Sequence, residues 1–140
     1  MNLWYFGDDP SGATGYSRQA RNILVRMSKY FNIAAMGLNR IDECPHEPFK
    51  DDRLPFKIYR AELSENSKFY HLFQKIFPST HSDVLFIVGD VWDYRGWFVP
   101  WLESIQFKRR LKVISYLSCE YPLNAEDIAT LRAIDYPVCH

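Results

Sequence analysis

Long apolar runs and an excess of charge of either sign are both missing from this sequence. The longest uninterrupted apolar run covers residues 84–88, which is far too short to span a bilayer. The 17 basic and 17 acidic side chains balance, whereas a nucleic-acid-binding protein usually shows a basic excess. We therefore predict no transmembrane segment and no nucleic-acid partner.

Cysteine is scarce, and no cleavable leader is visible. The three cysteines, Cys44, Cys119 and Cys139, form an odd and widely spaced set that fits reduced thiols in the cytoplasm better than a disulfide framework. There is no C-x-x-C pair and the histidines lack metal-ligand spacing, so we predict no metal and no cofactor. Asp8 and Asp9 interrupt the N-terminal apolar run, which argues against a signal peptide.

The apolar and aromatic content, 47% and 16%, is ample for one core in 140 residues. Apolar runs that predict strands alternate with segments of helical period. We predict strands at residues 3–6, 32–38, 56–60, 83–88, 111–117 and 136–139, helices at residues 16–31, 62–77, 98–107 and 125–134, and a polar loop at residues 42–55. The aromatic cluster of Trp97, Phe98 and Trp101 is predicted to belong to the core. This alternation predicts an α/β protein, with a Rossmann-like, doubly wound, mostly parallel sheet and helices on both faces. Residues 1–140 form a single domain in this interpretation, and the last strand lacks a closing helix, as in a fragment of a longer protein.

A glycine-rich loop, residues 7–15, follows the first predicted strand and leads into the first helix. Backbone amides in such a loop, together with the N-terminus of a helix, are suited to bind phosphate. Two established phosphate motifs fail here: Ala13-Thr14 stands where a P-loop needs lysine, and only Gly12-x-x-Gly15 remains of the dinucleotide fingerprint. The alternative is a plain strand-to-helix turn that needs glycine for its backbone angles.

Two more candidate segments, residues 89–93 and 118–122, follow later strands at the same edge of a parallel sheet. Asp90 and Trp92 come after the clearest strand, and a carboxylate beside an indole suits a sugar. The alternative there is a solvated loop with a packed tryptophan. Glu120 and Tyr121 follow the next strand, where Glu120 could bind a hydroxyl, act as a base, cap the following helix or pair with an arginine.

Acidic residues after the first strand also fit a phosphate-accepting receiver domain. Asp8, Asp9 and Asp90 would supply its carboxylates, but no lysine follows the strand at residues 111–117. A stand-alone flavodoxin-like or receiver-like module, binding phosphate or a partner protein, is therefore the alternative hypothesis.

The order of these motifs resembles one known family. Residues 10–17, 82–92, 112–116, 120–122 and 131–138 together resemble the N-terminal domain of GT-B fold glycosyltransferases, in particular the retaining, family-4-like group (glycosyl transferases group 1). The resemblance covers nearly the whole chain and implies two Rossmann-like domains that face a cleft. It implies transfer of a sugar from a nucleotide-sugar donor to an acceptor, without a metal.

The resemblance also implies roles for individual residues. Gly12, Ala13, Thr14 and Gly15 would approach the donor diphosphate, while the acceptor wall would consist of Asp90, Trp92, Glu120 and Tyr121. The family's usual histidine after the fourth strand is absent at residues 90–92, so no catalytic residue is assigned. The donor-selecting domain would lie beyond His140, and the isolated chain is expected to be inactive and to self-associate through the surface that this domain would cover.

Overall fold

The structure is a computed structural model that describes residues 1–38, 48–61, 83–106 and 111–139. These residues form a sheet with helices on either side of it. The strands are β1 (Asn2–Asp8), β2 (Asn32–Leu38), β3 (Lys57–Ala61), β4 (Val84–Asp90), β5 (Lys112–Ser118) and β6 (Tyr136–Cys139). The helices are α1 (Gly15–Met27), α2 (Phe98–Gln106) and α3 (Ala125–Arg132), and a single 3₁₀ turn, Val91–Tyr94, follows β4.

The sheet is parallel throughout, which confirms the predicted fold class. Its strand order is β3-β2-β1-β4-β5-β6, and each neighbouring pair runs in the same direction. This order is that of the Rossmann fold, and it differs from the flavodoxin-like order, in which the third strand lies beside the first. The order reverses between β1 and β4, so the ligand-binding crevice is expected outside the carboxyl ends of these two strands.

Helices cover both faces of the sheet because β1 and β4 carry apolar side chains on both sides. Leu3 and Tyr5 pack with Ala20 and Leu24 of α1, in one apolar cluster. Trp4 and Phe6 of β1 point to the other face and pack there with α2 and with the residues at the end of α3. Strands buried on both faces are typical of a parallel sheet, and the almost continuous burial of β4 fits this rule.

Aromatic rings fill the core beneath α2. The ring centroids of Tyr94 and Phe98 lie 5.5 Å apart in an edge-to-face arrangement, and those of Trp97 and Phe98 lie 5.7 Å apart at 90°. Phe98 and Trp101 are buried, as the sequence predicts for this aromatic cluster. No helix in the described ranges combines the length and the apolar character that a membrane crossing requires.

The main differences from the sequence prediction concern boundaries. Strands β1 and β4 each run two residues further than predicted, through Gly7 and Gly89 to Asp8 and Asp90. A Cβ on Gly7 would clash with the Val88 carbonyl oxygen, so glycine permits the close approach of β1 to β4 at this position. Helix α1 ends at Met27 instead of residue 31, because the chain turns there towards β2. The helix predicted at residues 62–77, most of the loop predicted at residues 42–55, and Phe107 at the end of the α2 prediction lie outside the described residues.

Candidate functional site

The glycine-rich loop lies at the carboxyl end of β1, beside the point where the strand order reverses. Its turn is closed by the Gly12 amide, which donates to the Asp9 carbonyl oxygen over 2.8 Å. A Cβ on Gly12 would lie 2.6 Å from Ser17 Oγ, so the turn has room only for glycine. The Gly12 amide is thus used inside the loop itself.

The end of this loop caps α1 and exposes three backbone amides. Thr14 Oγ1 accepts a hydrogen bond from the Ser17 amide at 3.0 Å, which is the usual N-cap arrangement, and donates to Asp8 Oδ2 at 2.6 Å. Ala13, Thr14 and Gly15 are exposed, and their amides have no hydrogen-bond partner in the part of the chain that the structure describes. A Cβ on Gly15 would meet nothing within 4 Å, so a ligand can approach this helix N-terminus closely.

A buried ion pair fixes the other side of the loop. Asp9 is only 2% exposed, and its Oδ2 accepts a hydrogen bond from Arg60 Nε of β3 at 2.8 Å. Its Oδ1 accepts from both the amide and the hydroxyl of Ser11, and the Arg60 guanidinium lies 3.3 Å from the centre of the Phe49 ring. The loop is therefore anchored to β3, and the Asp9 carboxylate, which the sequence offers for phosphate chemistry, has Arg60 as an ion-pair partner instead.

A second polar group joins α1 to the ends of β4 and β5. Tyr16, in the first turn of α1, donates its hydroxyl to Asp90 Oδ1 at 2.9 Å. Ser118 is paired in register with Asp90, and its buried Oγ has no hydrogen-bond partner in the described structure. Burial raises the pKa of Tyr16, the nearby Ser118 hydroxyl lowers it, and the Asp90 carboxylate raises it further. The phenol, the carboxylate and the serine hydroxyl are thus close neighbours.

Carboxylates dominate the charge at the carboxyl ends of β1 and β4. The Asp90 amide donates to Asp93 Oδ2 over 3.3 Å, and burial together with the charges of Asp90 and Asp8 raises the pKa of Asp93 to about 6. Among the described residues, neither Asp90 nor Asp93 forms an ion pair, and no set of three acidic, histidine or cysteine side chains is arranged to hold a metal. This part of the edge is acidic and suits groups that donate hydrogen bonds.

Exposed aromatic side chains border this acidic group. Trp92 is 50% exposed in the 3₁₀ turn after β4, and Tyr121 is 69% exposed after β5. Trp92 is therefore not the packed tryptophan of the alternative interpretation. Glu120 is exposed as well, and within the described residues it neither pairs with an arginine nor caps α3, since Asn124 and Asp127 cap that helix.

The loops after β4 and β5 are held together by a buried carboxylate. Asp127 of α3 is fully buried, and its two oxygens accept from Arg95 Nε at 2.5 Å and Arg95 Nη2 at 2.7 Å. Asp127 also accepts from the Asn124 amide at 2.9 Å, and Arg95 lowers its pKa. Since Arg95 follows the 3₁₀ turn directly, this contact fixes the segment of Trp92 relative to the segment of Tyr121.

The structure places all the site segments that the sequence predicts at one edge of the sheet, and adds Tyr16. The helical periodicity assigns Tyr16 to the apolar face of α1 and gives no sign of its contact with Asp90. Asp93 and Ser118 lie within the candidate segments, but the sequence assigns them no role of their own, and Ser118 ends β5 instead of lying in a loop.

Two other features of the chain lie apart from this chemistry. A cavity of about 420 Å³ lies at the amino ends of β1, β2 and β3, with Trp4, Ile33, Lys57 and Tyr59 in its wall, on the opposite edge of the sheet. The pKa of the Cys119 thiol is raised to about 11 by burial and by the adjacent Cys139 thiol, so Cys119 is protonated at neutral pH and poorly suited to be a nucleophile.

A scan against models of known protein families gave no match for this chain, and a search of curated proteins gave no similar sequence.

Proposed function

We propose that this chain is the acceptor-side domain of a retaining GT-B-type glycosyltransferase, which transfers a sugar from a nucleotide-sugar donor. The observation that carries the proposal is the juxtaposition, at one switch point, of an exposed helix N-terminus and an acidic group bordered by exposed aromatic rings. The first suits a diphosphate and the second suits sugar hydroxyls.

The acceptor would lie against the ends of β4 and β5. Asp90 and Glu120 offer carboxylate oxygens to hydroxyl donors, while Trp92 and Tyr121 offer exposed ring faces for the apolar side of a sugar ring. The local negative charge favours an uncharged acceptor over an anionic one, because like charges repel across such short distances.

The donor diphosphate would lie against the start of α1. Of the four residues predicted to bind the diphosphate, Ala13, Thr14 and Gly15 have backbone amides available for it. The Gly12 amide instead closes the turn by donating to Asp9. These amides, aligned with the helix dipole, would stabilise the negative charge that develops on the departing nucleoside diphosphate. Basic residues for the remaining charge would come from a partner domain, as the resemblance implies.

The proposal is tested by ¹H–¹⁵N NMR on the 140-residue chain, titrated separately with inorganic pyrophosphate and with a panel of methyl glycosides. Pyrophosphate should shift the amide signals of Ala13, Thr14 and Gly15, and a glycoside should shift the Trp92 indole and Asp90 signals. Shifts confined to other parts of the sheet in both titrations would contradict the proposal. Turnover of a nucleotide sugar by the chain alone would contradict its assignment as half of an enzyme.

The same proposal includes a cytoplasmic location, supported by the free thiols of Cys119 and Cys139. It also includes self-association through the carboxyl edge, where Trp92, Tyr121 and Leu123 are exposed. Size-exclusion chromatography over a range of concentrations tests the latter, and a strict monomer at high concentration argues against it.

A further inference from the structure

We propose that Ser118 and Asp90 bind one hydroxyl of an uncharged polyol, such as a sugar ring, and that Tyr16 positions the Asp90 carboxylate for this contact. The assignment of that polyol as the glycosyl acceptor rests on the proposed function, whereas the binding itself does not. The predicted acceptor residues are Asp90, Trp92, Glu120 and Tyr121, so neither Ser118 nor Tyr16 has a role in that prediction.

The buried hydroxyl of Ser118 has no hydrogen-bond partner among the described residues. The side chain is 2% exposed. A buried hydroxyl without a partner lowers stability, and such groups are few in folded proteins. Ser118 ends β5 beside Asp90, so its hydroxyl is positioned where a ligand at the switch point could complete it.

Ser115 is a second buried serine on β5 with which Ser118 can be compared. It lies three residues earlier on the same strand, is equally buried, and also has an Oγ without a partner in the described residues. Because side chains alternate along a strand, Ser115 lies on the opposite face, the one that Val113 and Leu117 share with the aromatic core. Only Ser118 has the Tyr16 phenol and the Asp90 carboxylate as neighbours.

Tyr16 orients the Asp90 carboxylate through a hydrogen bond. The phenol donates to Oδ1 at 2.9 Å, which fixes the carboxylate plane and leaves Oδ2 as a further acceptor. A ligand hydroxyl could donate to this carboxylate and accept from Ser118 Oγ at the same time. Tyr16 thus acts as a positioning residue, held by the first turn of the same helix whose N-terminus is exposed for phosphate.

Charge decides which ligand class fits. The carboxylates of Asp8, Asp90 and Glu120 all act on Tyr16 or on neighbouring Asp93, so the group is strongly negative. A phosphate or carboxylate ligand would be repelled there, while hydroxyls donate readily to carboxylates. The half-exposed Trp92 indole adds a flat apolar surface, which suits a sugar ring better than a small alcohol.

The test compares the affinities of Ser118→Ala and Ser115→Ala for a panel of methyl glycosides, with binding measured by saturation-transfer NMR. We expect at least one glycoside to bind the 140-residue chain, and Ser118→Ala to weaken it by about three- to tenfold, as for one lost hydrogen bond. Ser115→Ala should leave the affinity unchanged. Both substitutions should keep or raise Tm, because each removes an unsatisfied buried hydroxyl.

Tyr16→Phe provides a second readout, with the exposed Tyr30 as its matched control. Tyr16→Phe should weaken the same glycoside and move the signal of the Asp90 carboxyl carbon in the free protein, whereas Tyr30→Phe should do neither. Equal glycoside affinity in wild type and Ser118→Ala would overturn the inference, and so would a failure of every methyl glycoside to bind at tens of millimolar. If pyrophosphate still shifts the amides of residues 13–15 in that case, the diphosphate part of the proposed function survives, so the two failures are distinguishable.

Discussion

Asp8 and Asp9 are adjacent in the chain, yet they belong to two different halves of the carboxyl edge. Asp9 points towards β3, where Arg60 and Ser11 surround it in a closed, buried network. Asp8 accepts from the N-cap Thr14 and contributes negative charge to the group around Asp93. Alternation at the end of a strand is enough to separate the two carboxylates.

The two halves differ in how completely their buried polar groups are paired by hydrogen bonds and ion pairs. In the half of Asp9, the charge is matched by a nearly buried guanidinium, which is the arrangement that a structural ion pair requires. In the other half, Asp90 and Asp93 form no ion pair with any described residue, and Ser118 keeps an unmatched hydroxyl. The complete network stabilises the fold, whereas the incomplete one is the basis of the proposed ligand site.

The largest expected effect comes from breaking the closed half. Arg60→Ala should lower the free energy of unfolding by about 3–5 kcal/mol, because it leaves the Asp9 carboxylate buried without its partner. Urea denaturation measures this loss. Arg53→Ala is the control, because Arg53 pairs with Asp51 from an exposed position and should change stability little. Equal losses in the two variants would show that the buried pair has no special role.

A smaller effect is expected on binding in the open half. Trp92→Ala should weaken a methyl glycoside by roughly two- to tenfold, the range for losing one aromatic contact, while leaving stability nearly unchanged because the side chain is half exposed. Calorimetric titration together with thermal unfolding separates the two effects. A large drop in Tm without a change in affinity would assign Trp92 to packing.

The helix cap lies between the two halves and should respond to a single substitution. Thr14→Ala removes the acceptor for the Ser17 amide and should cost about 1 kcal/mol of folding free energy. It should also weaken the pyrophosphate-induced shifts of the neighbouring amides, because the first turn of α1 would fray. Thr14→Ser, which retains the capping oxygen, is the control; unchanged unfolding curves for Thr14→Ala would count against the cap.

The smallest effect is a pH dependence from Asp93. Its pKa in the folded protein, about 6, is above the ordinary value of 3.8, so its stabilising contribution is complete at low pH and lost as pH rises through about 6. Asp93→Asn should remove this component, worth about 1 kcal/mol once solvent screening of the partly exposed carboxyl is allowed for. Denaturation curves of both proteins between pH 4 and pH 7 measure it. Parallel stability profiles in wild type and variant would rule out a titrating Asp93.

Most of the fold follows from the sequence, because hydrophobic period and strand–helix alternation are local signals. The runs at residues 3–6 and 83–88 mark the two central strands. The prediction omits the last two residues of each strand as well as Asn2, and it starts β4 one residue too early. Helix α1 was overextended because Phe31 keeps the helical spacing although the chain turns after Met27. Strand order is a tertiary property, which no local pattern specifies.

The site was predictable as a set of segments but not as a set of contacts. Asp90 and Trp92 stand out because a carboxylate and an indole, which together suit a sugar, directly follow the clearest predicted strand. The partnership of Tyr16 with Asp90 joins residues 74 positions apart and depends on the approach of α1 to β4. Likewise, Arg60 pairs with Asp9 only because β3 lies on the far side of β2.

The packing of the aromatic core has a practical optical consequence. Of the four tryptophans in the sequence, Trp4 and Trp101 are buried and Trp97 is partly buried in one cluster, while Trp92 alone is half exposed to solvent. A water-soluble quencher should therefore quench the long-wavelength emission of Trp92 first and leave the shorter-wavelength emission of the buried tryptophans. The molecule carries its own fluorescent reporter beside the candidate site, and a bound sugar should shield it.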